Sequence, residues 1–382
     1  MSNNNISSAA FADTKPHYKI LDGLRGVAAL MVIWYHVFEA FATSPVDQRF
    51  NHGYLAVDFF FILSGFVIGY AYDDRWGRMS VKDFFKRRLI RLHPMIVIGT
   101  VLGVITFLIQ GSEQWNGTKV SLSMVMLAML LHMFLIPAAP GSGAEVRGNG
   151  EMYPLNGPAW SLFFEYIGNI LYALFLRKLS TTALTIVVTL AGLGLATFAI
   201  FNYSGYGHLG VGWSMLDYNL IGGFLRLLFA FSVGLLMSRI FQPVRIKGAF
   251  WICSLAIIVL LSIPYIGNGE APWMNGLYDA VCTIVIFPIL VYLGASGKTP
   301  DKMTSRMCKF FGDISYPLYI VHYPFMYLFY SWVWKNELTF AKAWPIALLL
   351  FFGNILLAYT CLKLFDEPVR KYLTKRFIAT SK

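Results

Sequence analysis

Residues 24–41 read LRGVAALMVIWYHVFEAF, an apolar stretch of nearly the length that crosses a bilayer, and it carries Arg25 and His36. On an α-helix these two side chains share one face and lie roughly 16 Å apart along the axis. Asp22 and Glu39 fall near the same stripe. Ionisable side chains inside a membrane are costly unless they face protein or water. The stretch therefore predicts a transmembrane helix whose polar seam points into a bundle, with His36 near mid-bilayer.

The overall composition favours a membrane protein with many spans. Of the 382 residues, 57% are hydrophobic and 13% are charged, whereas charged residues make up about 25% of a soluble domain. A net charge of +11 is compatible with nucleic-acid binding, but the basic residues lie between the apolar segments rather than in one patch. We therefore expect a polytopic membrane protein, with the lipid bilayer and no nucleic acid among its partners.

Eleven apolar stretches approach the roughly 20 residues that a transmembrane helix needs. They cover residues 24–41, 54–72, 94–109, 120–137, 159–176, 182–201, 220–237, 249–266, 277–294, 310–334 and 343–361. If 120–137 does not cross, 25 lysines and arginines lie on one side, five lie on the other, and Arg226 alone is inside a span. By the positive-inside rule this bias makes the richer side cytoplasmic. The sequence thus predicts an all-α polytopic membrane protein: ten transmembrane helices, both termini cytoplasmic, and one additional re-entrant or interfacial segment within 94–137.

The chain divides into one membrane domain and two short tails. We predict a cytoplasmic N-terminal tail at 1–19, the membrane domain at 20–373 and a cytoplasmic C-terminal tail at 374–382. The first span is too long for a signal-peptide core and is expected to remain as an uncleaved anchor. Residues 138–157 are rich in Gly and Pro, and we expect this loop on the outer face, where it shapes an entry for a substrate.

Two motifs in the first third of the chain carry further candidate residues. Asp58 either caps a helix end near the interface or contacts a substrate, and Ser64 either packs in a small-residue helix interface or binds the substrate. Arg88 and Arg91 are three residues apart and share one helical face. They either hold the phosphates of an anionic cofactor, or form a positive-inside stop that contacts anionic lipid.

Two later motifs place polar groups within spans. Trp160 fits the aromatic belt of a membrane interface, whereas Glu165, deeper in the same segment, calls for a functional reason. Tyr319 and His322 lie between two prolines, which bend a helix and commonly open a cavity. Four polar groups on different spans are expected at similar mid-bilayer depth: His36, Glu165, Arg226 and His322. The alternative for a single histidine is a buried imidazole that a neighbouring helix satisfies.

Six motifs occur in an order typical of one protein family. They are LDGLRGVAALMVIWYH (21–36), VDFFFILSGF (57–66), RRLIRL (87–92), NGPAWSLFFE (156–165), SYPLYIVHYPF (315–325) and DEP (366–368). From about residue 20 to 373 the chain resembles the acyltransferase-3 family of ten-span integral membrane acyltransferases. The family's Arg-x10-His pair corresponds to Arg25 and His36, and its Arg-x-x-Arg pair to Arg88 and Arg91. Phe163 departs from the family pattern, which often has serine there.

The resemblance implies transfer of an acyl group, usually acetyl from acetyl-CoA, to a hydroxyl of a cell-surface or exported glycan, at the bacterial cytoplasmic membrane. The donor phosphates would bind Arg88 and Arg91 from the cytoplasmic side. His36 would act as general base or as acyl-carrying nucleophile, helped by Arg25, Glu165 and His322. A thioester is already activated, so no metal is expected. Four residues would contact the glycan, which enters from the outer face: Asp58, Ser64, Trp160 and Tyr319.

Two other classes remain open at the level of sequence. A membrane acyltransferase with a lipid or peptide acceptor is the nearer one, although it does not require the spacing of Arg25 and His36. A glycan or lipid transporter without chemistry is the other, but such transporters usually show inverted repeats, and the two halves of this sequence do not match. The sequence ends soon after its last span, so we expect transfer to be completed within the membrane portion.

Overall fold

The computed structural model describes residue 15 and residues 17–299 and 301–378. Most of the predicted N-terminal tail, and residues 379–382 of the predicted C-terminal tail, lie outside these residues. The described residues form helices and connecting loops, with isolated β-bridges but no strand. The helices are α1 (Lys19–Glu39), α2 (Ala56–Tyr72), α3 (Val81–Gln110), α4 (Leu122–Met133), α5 (Ala159–Leu174), α6 (Thr181–Ile200), α7 (Asn219–Ile240), α8 (Ala249–Ser262), α9 (Pro272–Val281), α10 (Phe287–Ser296), α11 (Lys302–Lys335), α12 (Phe340–Cys361) and α13 (Glu367–Phe377).

Eight helical segments in the described part of the chain are long and apolar enough to cross a membrane. They comprise α1, α2 with the 3-10 turn before it, α3, α5 with the turn after it, α6, α7, α9 joined to α10, and α12 joined to α13. A π-helical turn makes each of these last two joins, at Cys282–Ile286 and Leu362–Asp366. The predicted all-α membrane architecture is therefore confirmed. The predicted count of ten remains a prediction, because α8 is short and α11 has the length but not the apolar composition.

Helix α4 is the short segment in the region where we predicted an additional non-crossing element. Its 12 residues span about 18 Å, well below the ~30 Å of a hydrocarbon core. Helix α3, by contrast, runs unbroken for 30 residues through Pro94, and a capping box of Ser80 and Asp83 fixes its start. The non-crossing part of residues 94–137 is thus best matched by α4.

Two long helix pairs position the polar residues of the bundle. Helix α1 packs along α11, and α2 packs along α7. Glycines let the backbones approach closely: a Cβ atom added at Gly26 would lie 2.3 Å from the carbonyl oxygen of Phe311, and one at Gly65 would lie 2.0 Å from that of Phe231. The first pair brings His36 against His322, and the second brings Asp58 against an arginine of α7.

Candidate active site

His36 lies in the last turn of α1, hydrogen-bonded to a carboxylate three residues further on. Its Nδ1 is 2.7 Å from Oε2 of Glu39, and the same oxygen accepts a hydrogen bond of 2.7 Å from the hydroxyl of Tyr330. Because a carboxylate only accepts, Nδ1 of His36 donates this hydrogen bond, and in the neutral imidazole Nε2 then keeps a lone pair. This arrangement is suited to general-base catalysis. His36 lies close to the end of α1, which ends at Glu39, and its mid-bilayer depth remains a prediction.

The neighbouring helix α11 supplies a second histidine. The rings of His36 and His322 stack with centroids 5.6 Å apart, and the edge of Tyr323 approaches His36 at 4.6 Å. His322 is fully buried, and its Nδ1 donates to the carbonyl oxygen of Leu318 at 3.1 Å. Nε2 of His322 has no hydrogen-bond partner in the described part of the protein. The prediction that His322 lies near His36 agrees with this geometry, whereas its catalytic role remains a prediction.

A cavity of about 420 Å³ lies at this end of α1, and we call it the histidine cavity. Its wall includes His36, His208, two glutamates and the following aromatic residues: Tyr35, Tyr54, Trp115, Trp160, Tyr206, Trp213, Tyr319, Tyr323, Tyr327, Tyr330 and Trp334. Among the described residues no lysine or arginine lines it. It is therefore an aromatic, acid-containing chamber with the imidazole of His36 in its wall.

The Gly- and Pro-rich loop at 138–157 contributes to the histidine cavity, as expected of an entry loop. Its Asn149, Glu151 and Gly157 line the wall. Glu151 accepts hydrogen bonds from Asn149 and from the hydroxyl of Tyr327. Burial raises the pKa of the Glu151 carboxyl, and it lowers the pKa of the His208 imidazole to about 4. His208 is consequently neutral near pH 7 and adds no positive charge to the chamber.

A second cavity, also about 420 Å³, opens near the other end of α1, and we call it the arginine cavity. Its wall includes five arginines: Arg25, Arg87, Arg88, Arg91 and Arg370. Nη2 of Arg88 is 2.8 Å from Oε1 of Glu165, which also accepts from the hydroxyl of Ser64 at 3.2 Å. Arg91 makes no hydrogen bond or ion pair with any residue that the structure describes. The cavity therefore offers unneutralised guanidinium charge to an anion.

The structure separates candidate residues that we expected at one depth. Glu165, which we predicted beside His36, lies in the arginine cavity with Ser64. Arg25 is there too: its Nη2 bonds Asp22 at 3.2 Å and its Nε donates to the hydroxyl of Ser315 at 3.0 Å. The carboxylate that contacts His36 is Glu39, not Glu165. The polar seam of α1 thus divides into two local pairs, one at each cavity.

Tyr319 marks the boundary between the two cavities. It and Val57 line both of them. The hydroxyl of Tyr319 is 2.8 Å from the hydroxyl of Ser161, which also donates to the carbonyl oxygen of Pro158 at 3.0 Å. Trp160, one residue away, faces the histidine cavity. The two cavities are therefore closest to each other at Tyr319 and Val57.

Asp58 has a different environment from the other predicted substrate-binding residues. Its carboxylate accepts hydrogen bonds from Nε and Nη2 of Arg226 at 3.0 and 2.8 Å. Both side chains are 0% exposed. Arg226 also donates to the carbonyl oxygens of Tyr54 and Val211. Neither residue lines the histidine or the arginine cavity. Asp58 and Arg226 have the geometry of a buried structural ion pair. The substrate role of Asp58 remains a prediction.

Several residues that the structure places in these walls were not among the predicted site residues. Glu39 was part of the predicted polar seam. Because it follows His36 by three residues on one helix, the spacing alone predicts that the two side chains touch. Tyr330, Glu151 and Arg370 have no comparable local signal, because distant segments bring them to the cavities.

In the described ranges no group of three or more His, Cys, Asp or Glu side chains is arranged to hold a metal ion.

Comparison with known proteins assigns the chain to a family. Residues 18–363 match the family described as "Acyltransferase domain". The chain belongs to the acyltransferase-3 family. The matched range includes α1 to α12 and nearly every residue of the two cavities, and it ends before α13. The resemblance seen in the six sequence motifs is thus confirmed, and with its apolar helices the chain is an integral membrane protein.

Individual relatives are 25% to 32% identical to this acyltransferase-3 member over the residues that align. "Protein 2 in picA locus" of Rhizobium radiobacter is 32% identical over 40% of this chain and 80% of its own length. A Staphylococcus aureus (strain COL) protein named as an O-acetyltransferase is 25% identical over 92% of this chain. "Acyltransferase MdmB" of Streptomyces mycarofaciens is 26% identical over 86% of this chain and 83% of its own length. The chain spans 57% of the staphylococcal relative. No solved structure matches it significantly.

Proposed function

We propose that this protein is a membrane O-acyltransferase that moves an acyl group, in the first instance acetyl, from acyl-CoA to a hydroxyl of a glycan. The observation that carries the proposal is the pair of cavities at opposite ends of α1. One cavity is basic, the other holds the His36–Glu39 pair among aromatic rings, and they meet at Tyr319. The names of the staphylococcal and streptomycete relatives support acyl transfer.

The arginine cavity is the proposed donor site. Acyl-CoA carries its phosphates at one end and its thioester at the end of a flexible arm. Charge-assisted hydrogen bonds from Arg88 and Arg91 hold the diphosphate, and the arm extends toward Tyr319, where the thioester meets the histidine cavity. Arg25, fixed by Asp22 and Ser315, steadies the donor from the same wall.

The chemical step then follows from the tautomer of His36. Nε2 removes the proton from the acceptor hydroxyl as that oxygen attacks the thioester carbonyl carbon. The C–S bond breaks, and the departing sulfur takes the proton from Nε2, which yields the ester and free CoA thiol. Glu39 holds the Nδ1 proton and stabilises the imidazolium between the two proton transfers. His322, stacked on the same ring, fixes its orientation.

The histidine cavity is the proposed acceptor site. Aromatic faces give the C–H faces of a sugar ring an apolar surface to pack against, and the carboxyl groups of Glu39 and Glu151 accept hydrogen bonds from hydroxyls. Because lysine and arginine are missing from the described wall, the site suits an uncharged or basic sugar. Trp160 and Tyr319 belong to this wall, in keeping with the substrate contacts we assign them.

The membrane orientation completes the proposal. We place the arginine cavity on the cytoplasmic side of a bacterial cytoplasmic membrane and the histidine cavity on the outer side, with ten spans and both termini cytoplasmic. The distribution of 25 basic residues against five supports this orientation by the positive-inside rule. Acyl-CoA is cytosolic and exported glycans are outside, so each substrate meets its own cavity.

Acceptor charge tests the proposed substrate class. Between two acceptors that differ only by a carboxylate near the modified hydroxyl, the uncharged one is expected to be acetylated with at least tenfold higher kcat/KM. The reason is that an added anion meets Glu39 without a compensating cation, and like charges in contact cost several kcal/mol, well over tenfold. Incorporation of radiolabelled acetyl into paired neutral and uronic oligosaccharides measures the ratio of the two kcat/KM values. Faster transfer to the anionic sugar, or transfer only to lipid or peptide acceptors in the same assay, contradicts the proposal.

Arg91→Gln tests the donor site. We expect the KM for acetyl-CoA to rise roughly 10- to 100-fold, which is the effect of losing one or two hydrogen bonds to a charged phosphate. Arg91 has no protein partner in the described structure, so its removal leaves no carboxylate unpaired. Lys82→Gln is the matched control, because Lys82 is an exposed cation of the same helix that lines neither cavity. An unchanged KM in the Arg91 variant favours an anionic-lipid contact instead.

A further inference from the structure

A third cavity of about 780 Å³ adjoins the arginine cavity, and we call it the α13 compartment. The two share Arg25, Arg91, Tyr316 and Arg370, so they adjoin along a common wall. Helix α13 contributes Arg370, Lys371 and Lys375 to the new compartment. This helix packs on α3, which carries the proposed diphosphate ligands, and it lies beyond the range matched to the family.

The charges of the α13 compartment are unbalanced. Seven basic side chains line it, against four acidic ones. Most of the acidic groups are already paired: Asp22 with Arg25, Asp313 with Lys309 at 2.6 Å, and Asp366 with Arg370 at 3.0 Å. Lys371 and Lys375 have no hydrogen bond or ion pair with a described residue. The compartment thus keeps positive charge that its own carboxylates do not neutralise.

The arrangement on α13 fits one compact anion. Lys371 and Lys375 are four residues apart, so their side chains emerge on one face of the helix, where like charges repel unless an anion lies between them. Arg370 lines both spaces and stands at their junction. A phosphate monoester bound by the two lysines therefore lies next to the guanidinium groups of the arginine cavity.

We propose that the α13 compartment binds the 3′-phosphoadenosine end of acyl-CoA, with the 3′-phosphate held by Lys371 and Lys375 and with Arg370 between it and the diphosphate. This rests on the proposed function, in which acyl-CoA is the donor. In the proposed function, the arginine cavity is already occupied by the diphosphate and the pantetheine arm of the donor. The larger compartment, on the side away from Tyr319, supplies the room and the charge for the nucleotide.

Comparison of acetyl-CoA with acetyl-3′-dephospho-CoA tests the proposal. The purified full-length wild-type protein is expected to show a KM roughly 10- to 100-fold higher for the dephosphorylated donor, because charge-assisted hydrogen bonds to the phosphate are lost. In the Lys371→Gln/Lys375→Gln variant, the ratio of the two KM values is expected to fall to within about twofold of one. Arg376→Gln, on the same helix but outside the compartment, is expected to keep the wild-type ratio. A purely structural effect of the two lysines would change both KM values and leave their ratio unaltered.

Several results overturn the inference separately from the proposed function. If wild-type protein turns over both donors with equal KM, or if the double variant keeps the wild-type ratio, the 3′-phosphate does not bind these lysines although acyl-CoA remains the donor. A lipid headgroup phosphate is the other source of the same chemistry. If such a headgroup phosphate binds the two lysines, added phosphatidylglycerol alters the activity of the wild type but not of the double variant. The ratio of the KM values for the two donors is then the same in both proteins. If wild-type protein uses no acyl-CoA at all, the proposed function itself fails.

Discussion

Replacement of His36 by alanine is expected to lower acyl transfer by a factor of about 10² to 10⁴, the usual contribution of a general base. The variant removes the only group in the proposed mechanism that accepts the hydroxyl proton and returns it to the leaving sulfur. The side chain is only 14% exposed, but it lines a cavity, so its loss enlarges a chamber rather than opening a hole in close-packed core. Acetyl incorporation into glycan by purified protein measures the effect, and thermal unfolding in detergent checks that the fold is retained.

His93→Ala provides the matched control for this experiment. His93 is a half-buried histidine of α3 that lines none of the three cavities. We expect this variant to keep its turnover within a few-fold of wild type. Acylation by His36→Ala at the wild-type rate would remove His36 from the reaction. Accumulation of acetylated wild-type protein when acceptor is withheld would instead assign His36 the role of acyl carrier.

Arg226→Ala is expected to destabilise the protein by about 3–5 kcal/mol, the cost of leaving one partner of a buried ion pair without the other. The carboxylate of Asp58 is fully buried and accepts three hydrogen bonds from this guanidinium. The same substitution also frees the carbonyl oxygens of Tyr54 and Val211. The expected result is a large fall in the midpoint of thermal unfolding and in the yield of monodisperse protein.

The double variant Asp58→Ala/Arg226→Ala separates charge from packing. Removal of both partners leaves no uncompensated charge, so this protein is expected to be more stable than Arg226→Ala alone. If Asp58 instead serves the substrate, Asp58→Ala will keep the unfolding midpoint and raise the KM for the acceptor. Arg49→Ala, the loss of an exposed loop arginine, is expected to leave the midpoint unchanged.

The sequence predicts much of this architecture because its strongest signals are local. Apolar length identifies the helices, and the spacing of Arg25 and His36 correctly puts both on the inner face of α1. The place of His36 so close to the end of α1 could not be derived in the same way. The apolar run continues to Phe41, but α1 stops at Glu39, where the chain turns into the loop toward the 3-10 turn at His52–Leu55. Hydrophobicity does not encode that stop.

The local sequence pattern also does not predict which buried charged groups pair with each other. Glu165 and Glu39 are both suitable carboxylates for His36, and only packing decides between them. Arg88 on α3 binds Glu165 from a position 77 residues away in sequence, and Tyr330 binds Glu39 from a position 291 residues away. The same reason explains why Arg370 was not recognised: its place in a cavity wall depends on how α13 docks on α3.

The single layer of side chains around Tyr319 has an electrical consequence. Under the proposed orientation, one cavity approaches this layer from each side, so the membrane voltage, worth about 2.3 kcal/mol per elementary charge at 100 mV, falls largely across the residues between the two cavities. The proposed reaction sends an acyl group outward and a proton inward across it. These movements are electrically equal and opposite, so the proposed reaction carries no net charge across the layer.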